Sequence, residues 1–153
     1  MAVDKAMYEK FQMLFNTEKR IMVSQLGTPA FSLQSFVVYN KNDLWMVLYF
    51  QEERNSNQLH SLLKAVCFFD SDLKHLWSTG IHLVSKNTVE SKQPDTVEKL
   101  IRAYGKPHAE MGGGKSAFVY LSDDGYIFFA KYQENAVLEI SKASLNELAK
   151  QFK

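Results

Sequence analysis

The chain has 153 residues, of which 46% are apolar or aromatic and 23% are charged, so its composition is that of a globular protein. Its 18 Lys and Arg against 17 Asp and Glu leave a formal charge of +1, which gives no excess for binding nucleic acid or acidic membranes. The one cysteine, Cys67, excludes an intrachain disulfide and a thiolate zinc site. No apolar run reaches the roughly 18–20 residues that span a bilayer.

The first part of the chain predicts two short helices. Apolar side chains recur at helical spacing in the first, at Met7, Phe11, Leu14 and Phe15. Thr17 is expected to be the N-cap of the second, because its hydroxyl can accept a hydrogen bond from the first turn. That second helix should run from Glu18 to Leu26 and end at Gly27, since glycine adopts the left-handed conformation and Pro29 cannot continue a helix.

Strands are predicted next. Residues 37–48 indicate strand, turn and strand around Asn42-Asp43. The polar run 52–58 is typical of a hairpin loop. A third strand is expected over 63–69, and a fourth around 76–84.

The second half starts with a change of composition. The polar residues 85–95 predict a linker, in which a helix is only weakly indicated over 87–92. The following helix is expected to begin at a capping-box-like pair, Asp95 and Glu98, and to end at Gly105-Lys106-Pro107.

Strands and a last helix complete this half. Residues 118–129 predict a hairpin with its turn at Asp124-Gly125, and 136–141 predict a further strand. Ser144 is positioned to cap a final helix over 144–152.

The two halves present these features in the same order. The glycines that end the apolar helix in each half, Gly27 and Gly105, are 78 residues apart, and an aromatic-rich hairpin follows each. The sequence therefore predicts an α+β fold of two tandem repeats, each a helix-turn-helix with an antiparallel β-sheet. Their expected bounds are 1–87 and 88–153.

The first repeat resembles one repeat of the β-lactamase inhibitor protein fold, and its module also resembles the small outer-membrane assembly lipoproteins. The pattern that carries the resemblance is Tyr8, Phe11, Asn16-Thr17, Ile21 and Leu26-Gly27-Thr28-Pro29. The resemblance implies protein binding through a concave sheet surface. Those families are exported, whereas the first residues of this sequence predict neither a leader nor a lipid-attachment cysteine. As written it is expected in the cytoplasm, or to be exported if a leader has been removed.

Alternate residues of a strand point to opposite faces, which divides the aromatic residues into two sets. The purely apolar set, expected beneath the helices, is Met46, Leu48, Phe50, Ile127 and Phe129. The opposite set has polar groups that tolerate water and predicts an exposed aromatic platform for another protein. The predicted partner-binding residues are Trp45, Tyr49, Tyr126 and Tyr132, with Lys115 at the rim. The alternative is a sheet covered on both faces, with Trp45 in the core.

A glycine-rich loop at 112–116 raises a second possibility, nucleotide binding. Gly114, Lys115 and Ser116 fit the end of a relaxed phosphate-binding loop. Such a loop needs a helix after it, whereas Ala117 to Leu121 is apolar and rich in strand-forming residues, which argues against this interpretation. A flexible loop at the rim of the sheet is favoured instead.

The remaining reactive side chains predict neither catalysis nor metal binding. The histidines are scattered, at His60, His75, His82 and His108, and no two have the i, i+4 spacing of a helical metal site. His108 is expected to lie exposed in a loop. Cys67 lies in the middle of a predicted strand, which is typical of a small buried thiol.

The function predicted from these patterns is non-enzymatic recognition of another protein, as in an inhibitor or immunity-type factor. No catalytic residue, cofactor, metal or nucleic acid is expected. A nucleotide-binding protein or enzyme, a small-ligand carrier with an apolar pocket, and a homodimer joined through the aromatic face are the alternatives.

Overall fold

Antiparallel strands make up about 50% of the chain and helices about 24%, so the mixed α+β class is confirmed. The computed structural model describes residues 9–11, 13–55, 57–91, 93–112 and 116–151. The chain divides into two units between Ile81 and His82. None of the described helices is long and apolar enough to cross a bilayer.

The first unit is a five-stranded sheet with helical segments before it. Residues 9–11 and 13 are helical and precede α1. The named elements are α1 (Lys19–Leu26), β1 (Phe31–Leu33), β2 (Phe36–Lys41), β3 (Leu44–Asn55), β4 (Gln58–Phe69) and β5 (His75–Thr79). The strands lie in the order β1-β2-β3-β4-β5 and every neighbouring pair is antiparallel.

The second unit is a four-stranded sheet with three helices. Its elements are α2 (Lys86–Ser91), α3 (Val97–Tyr104), β6 (Ala109–Met111), β7 (Ser116–Leu121), β8 (Tyr126–Gln133), β9 (Ala136–Ser144) and α4 (Leu145–Gln151). The strand order is β6-β7-β8-β9, again antiparallel throughout. Helix α2 thus occupies most of the segment predicted as a linker.

A glycine ends the apolar helix in both units, as predicted. Gly27 and Gly105 have φ values of 88° and 89°, in the region that side chains with a Cβ avoid. The N–H of Gly27 donates to the carbonyl of Val23 at 2.9 Å, and that of Gly105 donates to the carbonyl of Ile101 at 2.8 Å. Each helix therefore closes its last turn through glycine.

The carbonyls of the same glycines accept hydrogen bonds from the sheets. Tyr39 on β2 donates its hydroxyl to the Gly27 oxygen at 3.0 Å, and Tyr120 on β7 donates to the Gly105 oxygen at 2.9 Å. Both tyrosines are buried, and burial raises the pKa of each phenol. Each protonated hydroxyl thus links a helix end to the neighbouring sheet.

The starts of the helices differ from the predictions in two cases. Helix α1 begins after Glu18, not Thr17, and its N-cap side chain makes no capping bond. The cap of α3 is Thr96, whose hydroxyl accepts from the Lys99 N–H at 3.2 Å, not Asp95. Each predicted N-cap is one residue away from the observed one, which is the usual size of disagreement in assigning a helix boundary.

The predicted cap of the last helix is confirmed. Ser144 Oγ accepts from the Glu147 N–H at 3.1 Å, and Glu147 Oε1 accepts from the Ser144 N–H at 3.2 Å. These reciprocal bonds form a capping box at the start of α4.

The predicted loop at 52–58 is wrong, because β3 continues to Asn55 and β4 starts at Gln58. Strand β2 pairs with β3 only as far as Tyr49, so residues 51–55 and 58–62 extend beyond it as a two-stranded ribbon, here called the hairpin arm. Both faces of a ribbon can be wet, so polar residues fit a strand there as well as a loop.

Each unit has an apolar core between its helices and one face of its sheet. In the first unit the central strand contributes Met46, Leu48 and Phe50, the face predicted to lie beneath the helices. In the second unit the sheet contributes Phe118, Tyr120, Phe128 and Ala130, packed with Leu100 and Tyr104 of α3.

We expect Tyr120→Phe and Tyr39→Phe each to lower the free energy of unfolding by about 0.5–1.5 kcal/mol, because each removes the hydrogen bond between a buried tyrosine side chain and the glycine carbonyl at the helix end. Urea unfolding of the purified variants measures the change. Tyr132→Phe is the control, since its hydroxyl bonds to Glu110 in an exposed position where water can replace it. Equal effects of all three substitutions would contradict the role given to the helix-end bonds.

Candidate functional site

The predicted exposure of Trp45 and Tyr49 is wrong. Trp45 is 2% exposed and Tyr49 is 7% exposed, on the face of β3 opposite Met46 and Leu48. The Tyr49 ring lies 5.2 Å from that of Phe36. The polar atoms of Trp45 and Tyr49 are a poor guide to solvent exposure, because Trp and Tyr side chains are mostly apolar and are often buried.

Tyr126 and Tyr132 are half-buried and lie on the face of their sheet that packs against the helices. They share the core side of β8 with Phe128 and Ala130, so the expectation that Ile127 and its neighbour Phe129 lie beneath the helix is wrong. The purely apolar set is thus beneath the helices in the first unit but opposite them in the second.

The contacts of these two tyrosines are local. Tyr132 stacks on Phe118 with 4.3 Å between ring centroids and donates its hydroxyl to Glu110 at 3.0 Å. The Lys142 ammonium lies 4.8 Å from the Tyr126 ring centroid. The four aromatic residues therefore do not form one exposed platform.

The glycine-rich loop gives no support to nucleotide binding. Gly113, Gly114 and Lys115 lie outside the described residues. Ser116 begins β7, so a strand stands where a phosphate-binding loop needs the N-terminus of a helix.

A groove of about 620 Å³ runs between the start of α1 and the hairpin arm; we call it the helix–arm groove. Its lining residues are Glu18, Lys19, Arg20, Val23, Gln58, Leu59, His60 and Ser61. Leu59 is 57% exposed and lines the groove together with Val23 of α1, so the two residues give it a shared apolar surface. Exposed apolar surface with charged groups around it is typical of a binding site.

Glu18 holds the polar side of the groove together. Its Oε1 lies 2.7 Å from Nδ1 of His60, and its Oε2 accepts from Nε of Arg20 at 2.9 Å. The hydrogen bond with His60 and the nearby Arg20 guanidinium hold the pKa of Glu18 below its usual value. The carboxylate thus ties α1 to the arm.

Backbone contacts fix the same junction. The N–H of Leu63 donates to the Thr17 carbonyl at 2.9 Å, the N–H of Asn16 donates to the Leu63 carbonyl at 2.8 Å, and Glu18 bridges Leu62. The groove is therefore preformed. Sequence reasoning missed it because the arm was assigned to a loop, although Leu59, an apolar residue after a polar run, was a signal.

His108 is held by both ring nitrogens instead of lying free in an exposed loop. Its Nδ1 accepts from the Leu121 N–H at 2.8 Å, so Nε2 carries the proton and donates to the His82 carbonyl at 2.8 Å. Burial lowers the pKa of His108 below its ordinary value. The neutral imidazole links the segment after α3 to β7 and to the start of the second unit.

Cys67 is buried in β4, as predicted, and burial raises the pKa of its thiol to about 12. It is therefore a protonated core residue at neutral pH. Within the described ranges, no three His, Cys, Asp or Glu side chains form a cluster that could hold a metal ion.

Comparison of the chain with models of known protein families, with curated proteins and with solved structures finds no match. The resemblance to the β-lactamase inhibitor protein fold therefore stays a prediction.

We expect Trp45→Ala to lower the free energy of unfolding by about 3–5 kcal/mol, because it removes a large buried side chain. Urea unfolding followed by far-UV circular dichroism gives the value. Leu138→Ala, at an exposed position, should change it by no more than about 0.5 kcal/mol. An unchanged stability for Trp45→Ala would instead favour the exposed platform.

Stability should fall as the pH drops below about 6.5, the ordinary pKa of histidine. With a lowered pKa in the folded chain, His108 takes up its proton more readily after unfolding, so acid favours the unfolded state. Its contribution is complete above about 6.5 and is lost as the pH falls through the folded-state pKa.

His108→Gln tests this, because the amide can donate and accept without titrating. Urea midpoints between pH 8 and pH 5 should fall less steeply for His108→Gln than for the original chain. The same slope in both proteins would show that His108 is not the responsible group.

Proposed function

We propose that this chain is a non-enzymatic protein-binding module, of the inhibitor or immunity-factor kind, and that its partner binds at the helix–arm groove. The observation that carries the proposal is the preformed groove itself, in which the exposed Leu59 lies with Val23 among charged and polar side chains. Since Trp45 and Tyr49 are buried, the contact surface is placed here and not on the aromatic set predicted from the sequence.

The make-up of the groove supports this choice. Val23 and Leu59 supply apolar surface, and Glu18, Arg20 and His60 supply charged and polar groups around it. Protein interfaces commonly have an apolar centre that excludes water and a polar rim. An aliphatic or aromatic anchor of the partner would bury against Leu59.

The fixed junction of α1 and the arm also favours binding. The hydrogen bonds of Glu18 with His60 and Arg20 and the backbone bonds of Thr17 and Leu63 already order the groove in the free protein. Binding to an ordered surface avoids the entropy loss of fixing loops and side chains, so more of the contact free energy appears as affinity.

We also propose that the two units are copies of one folding module, as in the tandem arrangement that the resemblance implies. Support comes from the matched bonds of Tyr39 with Gly27 and of Tyr120 with Gly105, and from the shared order of helix, short strand and three-stranded meander.

The test uses two exposed leucines that differ in place but not in exposure, Leu59 at 57% and Leu138 at 56%. Proteins retained from the native source by the immobilised chain are identified by mass spectrometry, and the retained protein is purified and titrated. Leu59→Asp should weaken its binding by about 30-fold or more, which is about 2 kcal/mol. Leu138→Asp should leave the affinity unchanged.

Both variants should unfold at the same urea concentration as the original chain, because surface substitutions have small effects on stability. Retention of the same protein with equal affinity by Leu59→Asp would overturn the groove as the binding site. If the retained protein is the chain itself, light scattering of the two variants decides whether the groove joins two copies.

A further inference from the structure

A second cavity, of about 240 Å³, lies in the first unit between the helical residues before α1 and strands β2 and β3. Its wall is apolar and is formed by Phe11, Tyr39, Leu44, Met46 and Phe68. None of these residues lines the helix–arm groove. We call this cavity the lysine-rimmed pocket.

The wall is ordered. Phe11 and Phe68 meet edge to face with 5.5 Å between ring centroids, and both are buried. The hydroxyl of Tyr39 is occupied by the Gly27 carbonyl, so its ring presents carbon to the pocket. An apolar cavity of about 150 Å³ is large enough to bind benzene, so this one has room for a longer hydrocarbon group.

Charge distinguishes the rim from the wall. The charged side chains among the described lining residues are Lys10 and Lys41, and both are cationic. The Lys41 ammonium donates to the Leu26 carbonyl at 2.8 Å and lies 5.4 Å from the Tyr39 ring centroid. One carbonyl leaves the other N–H donors of that ammonium for a ligand.

We propose that the lysine-rimmed pocket binds a small amphipathic carboxylate, such as a medium-chain fatty acid. The hydrocarbon tail packs against Met46 and Phe68, and the carboxylate accepts hydrogen bonds from Lys10 and Lys41. An apolar site with a few oriented polar groups is the usual form of a small-molecule site. The turn residues Asn42 and Asp43, both with positive φ, fix the backbone beside Lys41.

Each part of the ligand has its own expected effect. Lengthening the chain from hexanoate to octanoate should tighten binding by up to about fourfold for each methylene buried. Replacing the carboxylate of octanoate by a hydroxyl or an ammonium should weaken binding at least tenfold, because the rim is cationic. Raising the salt concentration should weaken octanoate binding only.

The test is a titration of the full chain, labelled with ¹³C at the methionine methyl groups, with sodium octanoate below its micelle concentration. The chain has six methionines, and Met46→Leu identifies the methyl signal in the pocket wall. Octanoate should shift the Met46 signal saturably, while octanol and octylammonium should produce the same shift only at concentrations at least tenfold higher.

Two variants separate the rim from the wall. Lys41→Gln keeps a donor for the Leu26 carbonyl but removes the charge, and should weaken octanoate binding about tenfold with a smaller effect on octanol. Lys99→Gln, at an exposed position on α3, should bind as the original chain does. Leu44→Trp should fill the pocket and abolish the Met46 shift, and its methyl spectrum shows whether the fold is retained.

The proposal is overturned if octanoate leaves the Met46 signal unmoved, if it shifts only other methionines, or if octylammonium binds as tightly as octanoate. It does not depend on the proposed protein-binding function. Leu59→Asp should bind octanoate normally, so failure of one proposal is distinguishable from failure of the other.

Discussion

In each unit, one glycine joins a helix to the sheet that follows it. The N–H of Gly27 closes the last turn of α1 while its carbonyl accepts the hydroxyl of Tyr39, and Gly105 does the same with α3 and Tyr120. The N–H and the carbonyl of the glycine can each reach a partner because its positive φ turns the chain sharply at this residue. The tyrosine rings lie in the cores, so the same contact also fixes which face of the sheet the helix covers.

This contact accounts for the face of the sheet that the helix covers in the second unit. A tyrosine that must reach the helix end has to point toward the helix, and its alternate neighbours along the strand then point the same way. In the second unit this brings Phe118 beneath α3 with Tyr120, and cross-strand pairing places Phe128 and Ala130 beside them. Hydrophobicity alone favoured Ile127 and Phe129 for that position, and it gave the wrong face.

Local sequence signals predicted the elements well. The helix ends at Gly27 and Gly105, the cap at Ser144 and the turn at Asn42-Asp43 depend on residues within a few positions of one another. Sequence could not predict features that depend on distant partners. The strand identity of residues 52–55 requires β4, and the role of His108 requires the backbone of His82 and Leu121.

The candidate sites are also features that depend on residues distant from one another in the sequence. Glu18 and His60 are 42 positions apart, and Lys10 and Met46 are 36 apart, so no motif of fixed spacing contains them. The sequence signal that could have pointed to the helix–arm groove was Leu59, an apolar residue after a polar run.

The difference in strand length between the units bears on why the proposed protein-binding groove lies in the first. Strands β3 and β4 have 12 residues each, whereas β8 and β9 have 8 and 9. The added length forms the hairpin arm, whose strands pair mainly with each other, so its faces are less covered than those of a central strand. Glu18 and the backbone of Thr17 hold the base of the arm to α1. If the units are copies of one module, lengthening a single hairpin would be enough to give one copy a binding surface without disturbing the glycine–tyrosine contact on which both folds depend.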